Sequence, residues 1–242
     1  MSRIYIDELP LDVFNQVEIL SIIDGFIQEK TPHQIVTLNS MMYIYSQRDP
    51  ILKKVIQASS LVVPDSIGIC LCAYLVTKRR INRITGIDLL YDLCRYAEVK
   101  KYRIYLLGAK SENVKYAAKN LIKRFPGLIL SGYHNGYFSL NEESEIIREI
   151  KHTMPDILFV GLDVPRQEKW ISQNLIELNV PLVIGVGGSF DVISGELKRA
   201  PKFLQKIGLE WLFRIIQEPS RIKKVKFLPL MFWYLLKNLL KN

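Results

Sequence analysis

Four carboxylates stand where apolar runs give way to loops: Asp65 in "LVVPDSIG", Asp163 and Glu168 in "DILFVGLDVPRQEKW", and Asp191 in "GVGGSFD". Each is a candidate general base. Asp65 lies between an apolar strand and an apolar helix, where partial desolvation raises carboxylate basicity and suits removal of a hydroxyl proton. Capping of the following helix is the alternative use of the same side chain. Asp191 has two uses as well, hydrogen bonding to a ribose hydroxyl or capping a turn. Thr37 and Asn39 follow the run "QIVTLN". Gln167 opens a helix, where its amide reaches a ligand or simply belongs to a first turn made favourable by Glu168.

Glycines recur at the same places. Gly108 follows "IYLL", Tyr137 closes "GYHNGY", and Gly187 and Gly188 sit in "GVGGSFD". Such loops free backbone N–H groups for a phosphate and precede positive helix ends, although a tight strand-to-helix turn uses glycine in the same way. Arg83, together with Lys78, Arg79 and Arg80, is either a phosphate clamp or a solvated basic face.

Several chemistries are disfavoured by what the chain lacks. His33, His134 and His152 are scattered without ligand spacing, and no Asp-x-Asp pair is present to hold a divalent ion against a diphosphate. Neither the dinucleotide glycine spacing nor the phosphate-loop lysine signature occurs. No Ser–His–Asp or Cys–His nucleophile arrangement stands out. Cys70, Cys72 and Cys94 are an odd count in apolar surroundings and are expected to be reduced core residues.

The elements that must position these residues follow from periodicity. "SRIYIDELPLDVFN" predicts a short hairpin turning at Pro10, and helix and strand then alternate. One long helix is expected over "SMMYIYSQRDPILKKVIQAS". From residue 102, four apolar runs end in glycine-rich loops and lead to helices, the last run being "PLVIGVGGSFDVISG". This pattern predicts an α/β fold, a Rossmann-like parallel sheet with helices on both faces. In such sheets ligands bind beyond the carboxyl ends of the strands, where Thr37, Asn39, Asp65, Gly108 and the loops "GYHNGY", "GLDVPRQE" and "GVGGSFD" are expected.

Charge marks a boundary. Of 33 Lys and Arg residues against 24 Asp and Glu, residues 1–196 hold 22 of each, and residues 197–242 hold 11 basic residues against Glu210 and Glu218. The whole net charge of +9 therefore sits in the last fifth of the chain, which speaks against a nucleic-acid surface. Residues 1–196 are expected to form the α/β core and residues 197–242 a helical basic and apolar appendage. The first residues carry frequent charges, so no signal peptide is expected. The chain closes on "RIKKVKFLPLMFWYLLKNLLKN", whose uncharged stretch from Phe227 to Leu236 is ten residues long. As a helix it would reach about 15 Å, half a hydrocarbon core, so it lies in an anionic membrane interface and does not cross. Packing of this segment on the core or in a homo-oligomer interface is the alternative.

The segments "VTLN", "VPDSIG", "RITGIDL", "LLGA", "GYHNGYF", "DILFVGLDVPRQEKW" and "GVGGSFDVISGELKRAPKFLQKIGLEWLFRIIQEPSR" occur in an order that resembles the WecG/TagA/CpsF-type family of bacterial glycosyltransferases. The resemblance spans nearly the whole chain, and the last motif is the most specific. It implies inverting transfer of N-acetylmannosamine from its UDP donor to undecaprenyl-diphosphate-linked N-acetylglucosamine, in wall teichoic acid linkage-unit synthesis, without metal or cofactor. It implies a cytoplasmic protein held peripherally at the inner membrane face. Asp65 matches the position that the family pattern suggests as base. Thr37, Asn39 and Gln167 are expected to orient the sugars. Gly108, Tyr137, Gly187, Gly188 and Asp191 are expected to bind UDP, while Arg83, Arg214 and Arg221 steady the leaving group. Two departures stand out: Ser66 where the family commonly has Gly, and Asp163-Val-Pro-Arg-Gln-Glu where it has Gly-x-Pro-Lys-Gln-Glu, with Arg166 keeping the charge. A UDP-N-acetylmannosaminuronic acid donor, or a non-catalytic nucleotide-binding role at the membrane surface, are the rival readings.

Overall fold

The structure, a computed structural model, describes residues 3–219 and Trp233. It opens with strands β1 (Arg3–Ile6) and β2 (Leu9–Asp12), paired antiparallel. Then come α1 (Gln16–Glu29), β3 (His33–Leu38), α2 (Ser40–Ser46), α3 (Pro50–Ala58), β4 (Leu61–Pro64), α4 (Ile67–Thr77) and α5 (Gly86–Lys100). The second half runs β5 (Arg103–Gly108), α6 (Ser111–Arg124), β6 (Ile129–His134), α7 (Leu140–Thr153), β7 (Ile157–Gly161) and α8 (Arg166–Leu178). It closes with β8 (Leu182–Gly185), α9 (Ser189–Ser194), α10 (Lys202–Lys206) and α11 (Glu210–Gln217).

Strands β3 to β8 form one parallel sheet in the order β4-β3-β8-β7-β5-β6. Their near-continuous apolar runs are explained by burial on both faces. Alternate residues serve opposite layers: Ile104, Leu106, Ile157 and Phe159 pack with α1, α5, α6 and α9. Tyr105, Leu107, Leu158 and Val160 pack with α7 and α8. Val36, Leu38 and Val62 pack with α2, α3, α4 and the hairpin. The result is the expected Rossmann-like arrangement, with helices on both faces of a parallel sheet.

Three local expectations are corrected. The hairpin turns at Asp7 and Glu8, both at positive φ, and Pro10 is instead paired within β2 opposite Tyr5. The single helix expected over residues 40–59 is two. Pro50 disfavours helical backbone at the residue before it, and Asp49 caps the new start by accepting from the Leu52 N–H at 3.1 Å. Of the run from Pro181 to Gly195, only Leu182–Gly185 is strand; a turn through Gly187 leads into α9.

All three cysteines are free and buried, and burial pushes the Cys70 and Cys72 thiols up to about 11 and about 12. They remain protonated and inert at neutral pH. Contacts also cross the charge boundary at residue 196: the Leu197 N–H donates to the Asp191 carbonyl at 2.9 Å, and Arg199 pairs with Asp88 at 2.6 Å. Arg221 and the terminal run around it, Trp233 apart, lie outside the described residues.

Asp12 joins the hairpin to the sheet edge. Buried Asp12 accepts from Arg3 Nε at 2.7 Å and Nη2 at 2.8 Å, and from the Val62 N–H of β4 at 2.8 Å. Asp12→Ala leaves that buried N–H without a partner, so unfolding in urea should report a loss of about 1–3 kcal/mol. An unchanged midpoint would show that the Asp12 hydrogen bonds add nothing to the attachment of the hairpin.

Candidate active site

A cleft of about 1030 Å³ opens over the carboxyl ends of the sheet strands. Asp65 stands at its wall directly after β4, where the chain turns toward α4. It does not cap α4; Ser66 does, accepting from the Ile69 N–H at 3.3 Å. Instead Asp65 Oδ1 accepts from the N–H of Gly86, the first residue of α5, at 2.8 Å. Burial pushes the Asp65 carboxyl up to about 6, against the Gly86 hydrogen bond and the positive charges of Arg214 and Arg83. The nearby Glu210 charge adds to the rise. At neutral pH the group is thus mainly ionised yet more basic than an exposed aspartate.

Ser66, the residue that departs from the glycine pattern, also joins two helix starts. Its Oγ lies 3.0 Å from Ser40 Oγ and accepts from the Ser40 N–H at 3.1 Å. Asn39 lines the cleft and caps α2, accepting from the Met41 and Met42 N–H groups at 3.0 and 3.1 Å. Buried Thr37 donates to the Gly185 carbonyl at 2.9 Å, which ties the end of β3 to the end of β8.

On the other side of the cleft, Gln167 is fully buried. Its Oε1 accepts from the N–H groups of Gly187 at 2.9 Å and Leu162 at 3.3 Å, and its Nε2 donates to Glu168 Oε1 at 2.6 Å. This amide therefore braces the loops after β7 and β8, and its polar atoms are already engaged within the protein. Gly185 is required beneath it, because a Cβ there would lie 2.2 Å from Gln167 Nε2. Glu168, one of the four candidate bases, is 1% exposed and its Oε2 has no hydrogen-bond partner. Its place is under the loop brace and not on the open cleft.

The expected nucleotide residues divide. Gly187, Gly188, Tyr137 and Asp191 line the cleft, Tyr137 being 72% exposed. Asp191 Oδ1 accepts from Asn113 Nδ2 at 2.7 Å, which joins α9 to α6. Gly108 is a backbone-contact position: at φ 143° a Cβ would fall 2.3 Å from the Gly161 carbonyl oxygen. The cleft face there is offered by Ala109 and Lys110. Asp163, exposed, and Arg166 line the cleft too, and Arg166 donates to the Gly136 carbonyl at 3.0 Å.

Arg83 reaches the cleft already paired. It donates to the Gln205 carbonyl at 3.1 Å and meets Glu210 at 3.0 Å, while Arg199 approaches the same carboxylate at 3.5 Å. Burial works against ionisation of Asp88, but the Arg199 and Thr85 hydrogen bonds outweigh it and hold the carboxyl below its ordinary range. Arg214, also on α11, lines the cleft and makes no ion pair among the described residues. Residue types alone did not reveal Glu210 or Gly86 as site residues. Glu210 was visible only as one of two acids in a basic segment, and Gly86 acts through its backbone. Among the described residues no group of three His, Cys, Asp or Glu could hold a metal ion, and no helix is long and apolar enough to cross a membrane.

The sequence pattern of the "Glycosyl transferase WecG/TagA/CpsF family" matches residues 4–242. The chain is 33% identical over 204 residues to the N-acetylglucosaminyldiphosphoundecaprenol N-acetyl-beta-D-mannosaminyltransferase of Bacillus subtilis (strain 168), covering 84% of this chain and 79% of that protein. It is 32% identical over 203 residues to the protein of the same name from Staphylococcus aureus (strain MW2), with the same coverage. A third of that name, from Bacillus spizizenii, is 32% identical over 81% of this chain and 75% of its own length.

Glu168 makes a pH test of the loop brace. Burial pushes its carboxyl up to about 7 from an ordinary 4.5, so the folded protein holds this proton more tightly than the unfolded chain does. Its contribution to stability is full below the unfolded value and is lost as pH rises through the folded one. Glu168→Gln removes that loss. Its Tm should exceed that of the unsubstituted protein by about 2–4 °C at pH 8 and lose the advantage near pH 5. Equal effects at both pH values would mean that this carboxyl does not titrate in the range.

Proposed function

The chain belongs to the WecG/TagA/CpsF family of glycosyl transferases, and from that premise we propose that it transfers N-acetylmannosamine from UDP-N-acetylmannosamine to undecaprenyl-diphosphate-linked N-acetylglucosamine. The proposed reaction inverts the anomeric centre, uses no metal, and serves wall teichoic acid linkage-unit synthesis at the inner membrane face. The names of the relatives supply the acceptor and the sugar, and the cleft supplies the chemistry.

The observation that carries the mechanism is Asp65: a partly buried carboxylate with a pKa near 6, on the wall of a cleft that also holds Arg83 and Arg214. The Gly86 N–H holds Oδ1, and no described residue hydrogen-bonds Oδ2. In the proposed step that carboxylate takes the proton of the acceptor hydroxyl as its oxygen attacks the anomeric carbon. The bond from that carbon to the UDP oxygen breaks, and UDP leaves with the electron pair. A single displacement of this kind inverts the centre. The charge that develops on the diphosphate faces Arg214, which has no ion pair among the described residues, Arg83 and the backbone of Gly187 and Gly188. Thr37 and Gln167 act in this scheme by holding the strand ends in register, while Asn39 retains a free amide group at the cleft. Arg221, also proposed at the leaving group, lies beyond the described residues.

Asp65→Asn should lower kcat by about 10²–10⁴ while UDP still binds. The unsubstituted protein should lose activity as pH falls through about 6, and the variant should lack that limb. Near-normal turnover of the variant at saturating substrates would remove Asp65 from the base role.

With purified protein, UDP-N-acetylmannosamine should outperform UDP-N-acetylmannosaminuronic acid on the same acceptor, and turnover should survive EDTA. Preference for the uronic acid donor would overturn the substrate assignment. Loss on chelation with recovery in Mg²⁺ or Mn²⁺ would overturn the metal-free mechanism.

A further inference from the structure

A second cavity, of about 940 Å³, lies beside the cleft between the start of α1, helix α5, the end of α6 and the segment after α9. Five cations and two carboxylates line it. Both carboxylates are engaged: Asp88 by Arg199 at 2.6 Å, and Asp92 by the Gln16 amide. Three of the cations, Arg95, Arg124 and Lys198, make no ion pair among the described residues. The Arg124 guanidinium is already held in place, 4.2 Å over the Tyr91 ring. Asp92 makes no ion pair among the described residues, so the cavity holds one such carboxylate against three such cations and keeps an excess of positive charge; Arg83 and Leu197 line both it and the cleft.

Chemistry supplies the anion. Transfer from a nucleoside diphosphate sugar to a lipid-diphosphate sugar brings two diphosphates to one enzyme, and their like charges must be held apart and separately neutralised. The cleft offers the donor Arg214 and Arg166, neither of them in an ion pair among the described residues, with Arg83 neutralised by Glu210. Lys198 at the second cavity is bracketed by Gln217 of α11, whose Oε1 accepts its N–H at 2.8 Å and whose Nε2 donates to its carbonyl at 2.9 Å. The same helix exposes Leu212 and Ile216. An apolar surface therefore stands close to the cationic cavity, as a diphosphate carrying a hydrocarbon chain requires.

We propose that the cavity lined by Arg95, Arg124 and Lys198 is the acceptor's diphosphate subsite, separate from the donor diphosphate in the cleft. The identity of that diphosphate rests on the transferase reading above. Arginine guanidinium groups bind phosphate oxygens through paired hydrogen bonds, and Arg124 is pre-set by its ring contact.

The test uses the full chain and two readouts. First, calorimetry follows inorganic pyrophosphate binding with the cleft filled by saturating UDP. Second, steady-state kinetics vary each substrate separately. Arg95→Gln/Arg124→Gln should weaken pyrophosphate binding at least about tenfold and raise the acceptor KM by a similar factor. The donor KM and the kcat at saturating acceptor should stay unchanged. Arg95→Lys/Arg124→Lys should restore part of the loss, and Lys198→Gln, on a surface segment, gives an independent variant if the double substitution does not fold. Absence of pyrophosphate binding to the UDP-filled protein would overturn the proposal, as would an acceptor KM that does not move. Competition by phosphatidylglycerol vesicles but not by a short-chain prenyl diphosphate would overturn it in favour of a lipid headgroup. If binding behaves as expected while no transfer to the lipid-linked sugar occurs, the anion site stands and the acceptor assignment falls with the transferase reading.

Discussion

One backbone hydrogen bond organises the top of the sheet. The Gly86 N–H fixes Asp65 Oδ1 and so joins the end of β4 to the start of α5. A Cβ at Gly86 would already touch Thr37 and the backbone of Val186, so the ends of β3 and β8 meet at the same point. Thr37 then closes the arrangement by donating to Gly185. A carboxylate held this way loses water but keeps a donor. Desolvation raises its basicity, and the donor, with Arg214 and Arg83, stops the rise near 6 before the group becomes neutral at physiological pH. Without the Gly86 contact, burial would push the carboxyl further toward the neutral acid, away from the base that the proposed chemistry needs.

The second constraint is charge balance across α11. Glu210 neutralises Arg83 and approaches Arg199, while Arg214, one helical turn further on, has no such partner among the described residues. In the proposed reaction a diphosphate in the cleft would meet Arg214 directly, whereas its attraction to Arg83 would compete with a carboxylate 3.0 Å away. The two arginines are therefore unequal, although both are simple positive charges in the sequence. The same helix joins the cleft to the neighbouring cavity, because Gln217 clasps the backbone of Lys198.

Much of this was legible from residues alone, and the reasons differ by element. Helix α8 opens in the turn that holds Gln167, as expected, because Pro165 precedes it and its apolar residues recur at helical spacing. The glycine-rich strand ends pointed to the edge of the sheet where the cleft opens. The split between α2 and α3 was missed because apolar periodicity continues across residues 47–49, while the backbone restriction imposed by Pro50 decides the matter locally. Strand order was not legible at all, since β8 inserts between β3 and β7 through pairings far apart in the chain. The site divides in the same way. Asp65 was visible from its flanking apolar runs, but its partner is a backbone group 21 residues away. Gln167 looked free at a helix start, yet its hydrogen bonds to Gly187 and Leu162 depend on two loops brought together by the sheet.

The central place of β8 also sets a schedule for the nascent chain. Thr37 and Gly185, the contact that closes β3 onto β8, are 148 residues apart. At a synthesis rate of about 5–20 residues per second, roughly 7–30 s separate the emergence of the two strands from the ribosome. Through that interval β3 has β4 on one side and an open edge on the other. The first half of the protein is therefore born with a sticky flank, which is covered only when residues 182–185 arrive.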